Sequence, residues 1–232
     1  MSKSDLKTFI ISSPRPLPVI VLADESGSMS EHRKIETLNS ALRDMFGGFA
    51  QDVNLRAELQ IAVIGFGGDG ARLHQGLIPA KSFAEAGFPD LRASGPTPMG
   101  GAFELLLRML EDPGTIPSRA YRPVVALVSD GFPTDEWEAP LKALEASERA
   151  QKATRIAMAI GSDADEAMLK RFINDPETPL FQARNARDVH RFFRAVTLSV
   201  STRTASRNPD EASRFSPPSG DGDGRDLDLD FT

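Results

Sequence analysis

The sequence predicts an α/β fold: a doubly wound, mostly parallel six-stranded sheet with one antiparallel edge strand and helices on both faces. Three observations predict it. Short apolar runs rich in valine and isoleucine alternate with longer stretches whose apolar residues recur at helical spacing. Two of these runs, Val19 to Ala23 and Val124 to Ser129, pass directly into a carboxylate, Asp24 and Asp130. Buried parallel strands do this when they deliver polar groups to the carboxyl end of a sheet. A third run, Leu59 to Phe66, is followed by Gly67-Gly68-Asp69-Gly70 and a weaker alternating segment, the pattern of a hairpin into an edge strand.

Residues 1–16 read as an extended lead-in, because Ser12-Ser13-Pro14-Arg15-Pro16 resists helix and favours polyproline geometry. A globular domain over residues 17–201 follows, with its first strand at about Val19 to Ala23. Ile35, Leu38, Leu42, Met45, Phe46 and Phe49 form one helical stripe. The second strand is expected at residues 56–66 and the edge strand at 71–78. Residues 79–98 are rich in proline, glycine and serine and read as irregular; a loop of that length inside a compact domain usually has a function. Phe103, Leu106, Leu107 and Leu110 give a helix face that Asp112-Pro113-Gly114 stops. After the strand at Val124 come a helix over residues 138–151, a strand over 156–160, a helix over 165–173 and a short strand near 180–182. Val189, Phe192, Phe193, Val196 and Val200 supply a closing helix. Residues 202–232 change to Ser, Pro, Gly and Asp and read as an acidic, flexible C-terminal tail.

Composition narrows the partners. The 232 residues carry 33 acidic and 27 basic side chains, a net charge of -6, and so lack the positive footprint of a nucleic-acid or anionic-membrane binder. Cysteine is absent, which removes disulfides, thiolate metal sites and cysteine nucleophiles and fits a reducing, cytoplasmic setting. Lys3 and Lys7 precede an apolar stretch broken by Pro14, Pro16 and Pro18, which is not a signal peptide, and no run approaches the roughly 20 apolar residues that span a bilayer. Nothing in the pattern sets an oligomeric state.

The chemistry is concentrated in three segments: Asp24-Glu25-Ser26-Gly27-Ser28, the loop bearing Thr97, and the strand end bearing Asp130. They converge at one sheet edge if the strand order reverses beside the first strand. Every candidate ligand is then a hard oxygen, a set suited to Mg2+ or Mn2+ rather than zinc or copper. Three of the five donors are neutral hydroxyls, so a bound divalent ion stays under-neutralised and attracts a carboxylate from another molecule.

At these residues the sequence resembles the von Willebrand factor A domain, whose metal-ion-dependent adhesion site carries D-x-S-x-S, a distant Thr and a distant Asp. Asp24, Ser26 and Ser28 match the first element, Thr97 in Gly95-Pro96-Thr97-Pro98-Met99-Gly100 the second, and Asp130 in Ser129-Asp130-Gly131-Phe132-Pro133-Thr134-Asp135 the third. The resemblance spans about residues 17–200 and implies a Rossmann-like fold. It also implies that Ser26, Ser28 and Thr97 ligate the ion directly while Asp24 and Asp130 act through water. With Arg15-Pro16-Leu17-Pro18-Val19 and the later Gly95 to Ala102 stretch, the chain is most similar to bacterial tellurium-resistance-associated TerY-like proteins. That similarity implies a cytoplasmic scaffold in a stress-response system, with a kinase or phosphatase of the same system as partner.

Each position also admits a simpler reading. A strand-ending turn that caps the next helix through a serine oxygen would explain Asp24, Ser26 and Ser28, but would leave Thr97 and Asp130 as coincidences. Asp135 reads as the cap of the helix near Glu138, and Glu25 as a solvated charge at the mouth. Gly65-Phe66-Gly67-Gly68-Asp69-Gly70 satisfies G-x-G-x-x-G, yet no helix follows it, so it reads as a hairpin turn. His32, His74 and His190 share no ligand spacing. Trp137 follows Asp130 closely and reads either as a rim of the metal face or as a partly buried aromatic; the Asp-Leu alternation of residues 226–230 resembles a linear interaction motif but reads first as a solvated end, and it lacks the terminal Glu of an EF-hand loop. Two function classes follow. The first is a non-enzymatic interaction module in which the ion binds a partner Asp or Glu. The second is a metal-dependent phosphatase or phosphoryl-transfer enzyme using Asp24, against which stands Ser26 at the position where such enzymes carry a second Asp.

Overall fold

The computed structural model describes residues 14–51 and 57–210, together with Phe215 and Phe231. Most of the lead-in and most of the acidic tail, including residues 226–230, lie outside the described residues. The sheet has six strands in the order β3-β2-β1-β4-β5-β6. These are β1 Pro16–Asp24, β2 Glu58–Gly67, β3 Gly70–Pro79, β4 Val124–Ser129, β5 Thr154–Ile160 and β6 Phe181–Ala183. β2, β1, β4, β5 and β6 are mutually parallel, and β3 closes one edge antiparallel to β2. The chain leaves β1 toward β2 on one side and returns to β4 on the other, so the order reverses beside β1. In such sheets this reversal opens the crevice where ligands bind.

Side chains of β1 alternate between two cores, as a strand covered on both faces must. Leu17, Val19, Val21 and Ala23 face α1 (Lys34–Gln51), α2 (Ala80–Ala86) and α7 (Ala186–Ala205). Ile20 and Leu22 face α3 (Met99–Glu111), α4 (Glu138–Ala146), α5 (Glu148–Lys152) and α6 (Glu166–Phe172). Helical spacing of apolar residues anticipated α1, α3, α6 and α7.

The structure corrects four details. Residues 79–98 are not wholly irregular: α2 forms at Ala80–Ala86, where Phe83 packs against Phe46 with ring centroids 4.3 Å apart. Proline and glycine dominate that stretch and mask a seven-residue helix held by one aromatic anchor. The helix expected over residues 138–151 is two, broken at Ser147 (φ -75, ψ 124), whose hydroxyl accepts from Ala150 N and caps α5. α7 continues past the expected boundary at residue 201 to Ala205, with Arg203 and Thr204 buried. Phe215 and Phe231, expected in a solvated tail, are buried against the core; Phe215 meets the Phe192 ring and Phe231 N donates to Arg184 O at 2.8 Å. Two aromatics recover apolar burial that the surrounding polar residues do not offer.

Candidate metal-binding site

β1 and β4 are adjacent and in register, so their carboxyl ends bring Asp24 and Asp130 together at the reversal point. After Asp24 the chain turns through Ser26 into a 3-10 helix, Gly27–Arg33. The Asp24 carboxylate is fully buried: Oδ1 accepts from Ser26 N at 2.8 Å and Oδ2 from the Ser129 hydroxyl at 2.5 Å. Ser26 Oγ and Ser28 Oγ lie 3.0 Å apart, and Ser28 Oγ donates to Asp130 Oδ1 at 2.7 Å. Asp130 Oδ2 accepts from Lys34 Nζ at 2.8 Å. Thr97 comes from the loop before α3, where its N–H donates to the Thr134 hydroxyl and its carbonyl accepts from Thr134 N. A Cβ placed on Gly131 would stand 3.9 Å from both Ser28 Oγ and Thr97 Oγ1, so the two hydroxyls face one small space beside Asp130. All five predicted residues therefore meet at one point.

The donor set is two carboxylates and three hydroxyls. Among the described residues there is no cluster of three or more His, Cys, Asp or Glu side chains able to hold a metal. Any ion at this point would depend on the hydroxyls, which fits a hard divalent cation.

Residues 19–132 match the family model of the von Willebrand factor type A domain. Over that stretch, just under half of the 232 residues, the chain is similar to a von Willebrand factor type A domain. The match begins in β1 and ends just past Asp130, so it contains all five converging residues. Similar solved structures include a von Willebrand factor type A protein from Catenulispora acidiphila, with TM-score 0.63, 22% identity, 80% of this chain covered and 42% of that one. Proximal thread matrix protein 1 of the mussel byssus, with a zinc-occupied MIDAS motif, gives TM-score 0.64 at 16% identity over 79% of this chain and 47% of that one. The pilus adhesin SpaC of Lactobacillus rhamnosus GG gives 0.63 at 15% identity over 82% of this chain and 30% of that one. At these identities the likeness is one of fold, and this chain spans less than half the length of each. No curated protein matches the chain.

Loops interlock around the site by backbone hydrogen bonds. Glu25 N donates to Phe66 O, Ser94 N to Glu25 O, Gly27 N to Gly95 O and Gly68 N to Ser94 O. Gly95 has φ +67, and a Cβ there would stand 2.8 Å from Gly68 Cα, so a side chain would force the two loops apart.

Glu25 is not the solvated charge that its place at the mouth suggests; it is 1% exposed. Its carboxylate lies against β2, and a Cβ on Gly65 would stand 2.3 Å from Glu25 Oε2. A Cβ on Gly67 would stand 2.3 Å from the Glu25 carbonyl oxygen. Gly65 and Gly67 of the G-x-G-x-x-G match thus make room for Glu25, and Gly67 opposite Gly70 closes a hairpin as expected. Arg72 on β3 supplies the counter-charge at 2.8 Å to Oε1 and 2.7 Å to Oε2, the second contact being ionic without hydrogen-bond alignment.

Asp135 is also reassigned. Its carboxylate accepts from Gly100 N and Gly101 N, capping α3 rather than α4, while Glu136 Oε1 accepts from Ala139 N at the start of α4. Trp137 is half-buried, with Arg171 over its ring, as expected of a packing residue. His32 is exposed, His74 Nε2 pairs with Pro89 O and His190 pairs with Asp44.

Sequence reasoning missed Ser129, Lys34 and Arg72. Lys34 left a signal, because it stands one helical turn before Leu38 on the buried stripe of α1, where a cation is out of place. Ser129 and Arg72 left none.

Burial pushes the Asp24 carboxyl up to about 6, against opposing hydrogen bonds from Ser129 and Ser26 and with help from the Asp130 charge. A carboxyl that binds its proton more tightly folded than unfolded favours the fold at low pH, and that contribution is lost as pH rises through about 6. Fully ionised, Asp24 costs the metal-free fold up to about 3 kcal/mol. Asp24→Asn, neutral at every pH, is therefore expected to gain stability relative to wild type by up to about 3 kcal/mol, the gap opening above about pH 3.8 and reaching full size once pH passes about 6. Urea unfolding in chelator measures this gap; a gap constant with pH would show that Asp24 ionises without cost.

Proposed function

We propose that this A domain is a metal-dependent protein–protein interaction module. A divalent cation held by Asp24, Ser26, Ser28, Thr97 and Asp130 binds a carboxylate supplied by a partner's Asp or Glu. The observation that carries this reading is the meeting of three hydroxyls and two carboxylates at the β1/β4 reversal point. Three of the five donors are neutral hydroxyls, so a partner carboxylate can complete the ion's shell. Hard oxygen donors favour Mg2+ or Mn2+, and the zinc-occupied MIDAS of the byssus protein supports divalent binding on this fold.

Binding rather than catalysis is inferred because both Asp24 oxygens are already hydrogen-bonded, to Ser26 N and the Ser129 hydroxyl, and the carboxylate is buried. A nucleophile must be reached by its substrate, and this carboxylate is fully buried. The stretches Arg15 to Val19 and Gly95 to Ala102 support a scaffold of the TerY-like type. In that setting the module is cytoplasmic and meets a kinase or phosphatase of a tellurium-resistance-like stress system. No helix among the described residues is long and apolar enough to cross a membrane.

Thermal unfolding in chelator and then in excess Mg2+ or Mn2+ tests the site. Ion at about 100 times its dissociation constant stabilises the fold by about 2.7 kcal/mol, a rise in Tm of roughly 5 to 10 °C for a domain of this size. Asp24→Ala is expected to abolish the rise. Equal shifts in both proteins would place the ion elsewhere, and no shift in wild type would remove the metal from the reading.

A further inference from the structure

The ammonium of Lys34 has no place in a site of oxygen donors, yet it is buried there. Lys34 is 5% exposed and its Nζ donates to Asp130 Oδ2 at 2.8 Å, while the Asp130 side chain is fully buried. A cation taken out of water at such a point is costly unless its charge is used. The backbone leading to it is strained: His32 (φ 50) and Arg33 (φ 57) are successive non-glycine residues in the left-handed region. Strain of this kind persists only where neighbouring contacts hold it, and Lys34, the first residue of α1, is anchored directly by Asp130.

A charge count shows what Lys34 does. Asp24 and Asp130 together carry two negative charges, and Lys34 returns one positive charge. Glu25 is compensated separately by Arg72. With Lys34 in place, a site loaded with a divalent ion is left with one net positive charge, enough to attract one carboxylate. Without Lys34 the loaded site is neutral and that attraction disappears, although the ion itself meets less repulsion.

We propose that Lys34 is a fixed cation that sets the charge of the metal site, weakening divalent-ion binding while strengthening capture of an anionic carboxylate by the loaded site. This rests on the metal-site reading above and adds a positioning residue to it. A residue that only supported the fold would affect both steps in the same direction, whereas Lys34 is expected to move them oppositely.

The test is titration of the full chain with Mn2+, following free Mn2+ by electron paramagnetic resonance, at neutral pH with and without acetate at constant ionic strength. Wild type is compared with Lys34→Gln, which keeps a hydrogen-bond donor without charge, Lys34→Met, and Lys34→Arg, which keeps the charge. Thermal unfolding establishes that each variant is folded. Lys34→Gln and Lys34→Met are expected to bind Mn2+ about tenfold more tightly than wild type, and Lys34→Arg close to wild type. Acetate is expected to tighten Mn2+ binding in wild type and in Lys34→Arg more than in the neutral variants. Unchanged or weaker Mn2+ binding in folded Lys34→Gln, or equal acetate effects in all four proteins, overturns the role of Lys34 while leaving the metal site standing. No Mn2+ binding in any of the four overturns the metal-site reading itself.

Discussion

Gly100→Ala is expected to destabilise the domain by at least about 3 kcal/mol, the upper end of the usual cost of overpacking. A Cβ at Gly100 would stand 1.9 Å from the backbone oxygen of Glu136, which cannot rotate away as a side chain could. To admit the methyl group, the segment bearing Asp135 and Glu136 must move off the start of α3. That movement breaks the bond that Gly100 N donates to Asp135 and strains the paired bonds between Thr97 and Thr134. The loss therefore reaches the site: the metal-dependent rise in Tm is expected to shrink along with the stability. Thermal unfolding in chelator, at about 2 to 4 °C per kcal/mol, should show a fall of roughly 6 to 12 °C. A fall under about 2 °C would mean that the segment after Asp130 adapts freely and does not hold Thr97 in place.

Arg72→Ala is the second large effect. It leaves the Glu25 carboxylate, 1% exposed, without its guanidinium and with only His74 Nδ1 nearby at 3.8 Å. Removing one partner of a buried ion pair costs about 3 kcal/mol or more, because the remaining charge keeps its desolvation penalty. Arg72 is itself half exposed, which places the expectation at about 3. The double variant Arg72→Ala with Glu25→Gln removes the orphaned charge and is expected to recover most of the loss, although a buried amide remains. Urea unfolding of the wild type, both single variants and the double variant measures the coupling. If Arg72→Ala alone costs less than about 1 kcal/mol, the pair behaves as a surface ion pair and Glu25 is reached by water after all.

Much of this architecture is written locally. The strand of β1 announces itself by unbroken apolar residues, α1 by a stripe from Ile35 to Phe49, and the β2–β3 hairpin by its glycines. The residues proposed to hold the ion stand out because three short motifs carry oxygen donors at strand ends and one loop, each recognisable within a few residues. Elements were misread where the local signal is mixed. Proline and glycine around α2 hide a helix that Phe83 anchors on Phe46, and Ser147 breaks a stretch whose helical spacing is otherwise continuous.

By itself, then, the sequence determined the α/β class, the order of the strands along the chain, the antiparallel edge and the five oxygen-bearing residues, since each depends on periodicity or on a motif within one segment. Only the tertiary structure decided how segments distant in the chain meet. Lys34 lies 96 positions from Asp130, Arg72 lies 47 from Glu25 and Asp135 lies 35 from Gly100. The pairing of such groups follows from strand order and register, which bring their elements side by side. Their roles as counter-charge and helix cap are set by distance and burial, which no single stretch of the chain encodes.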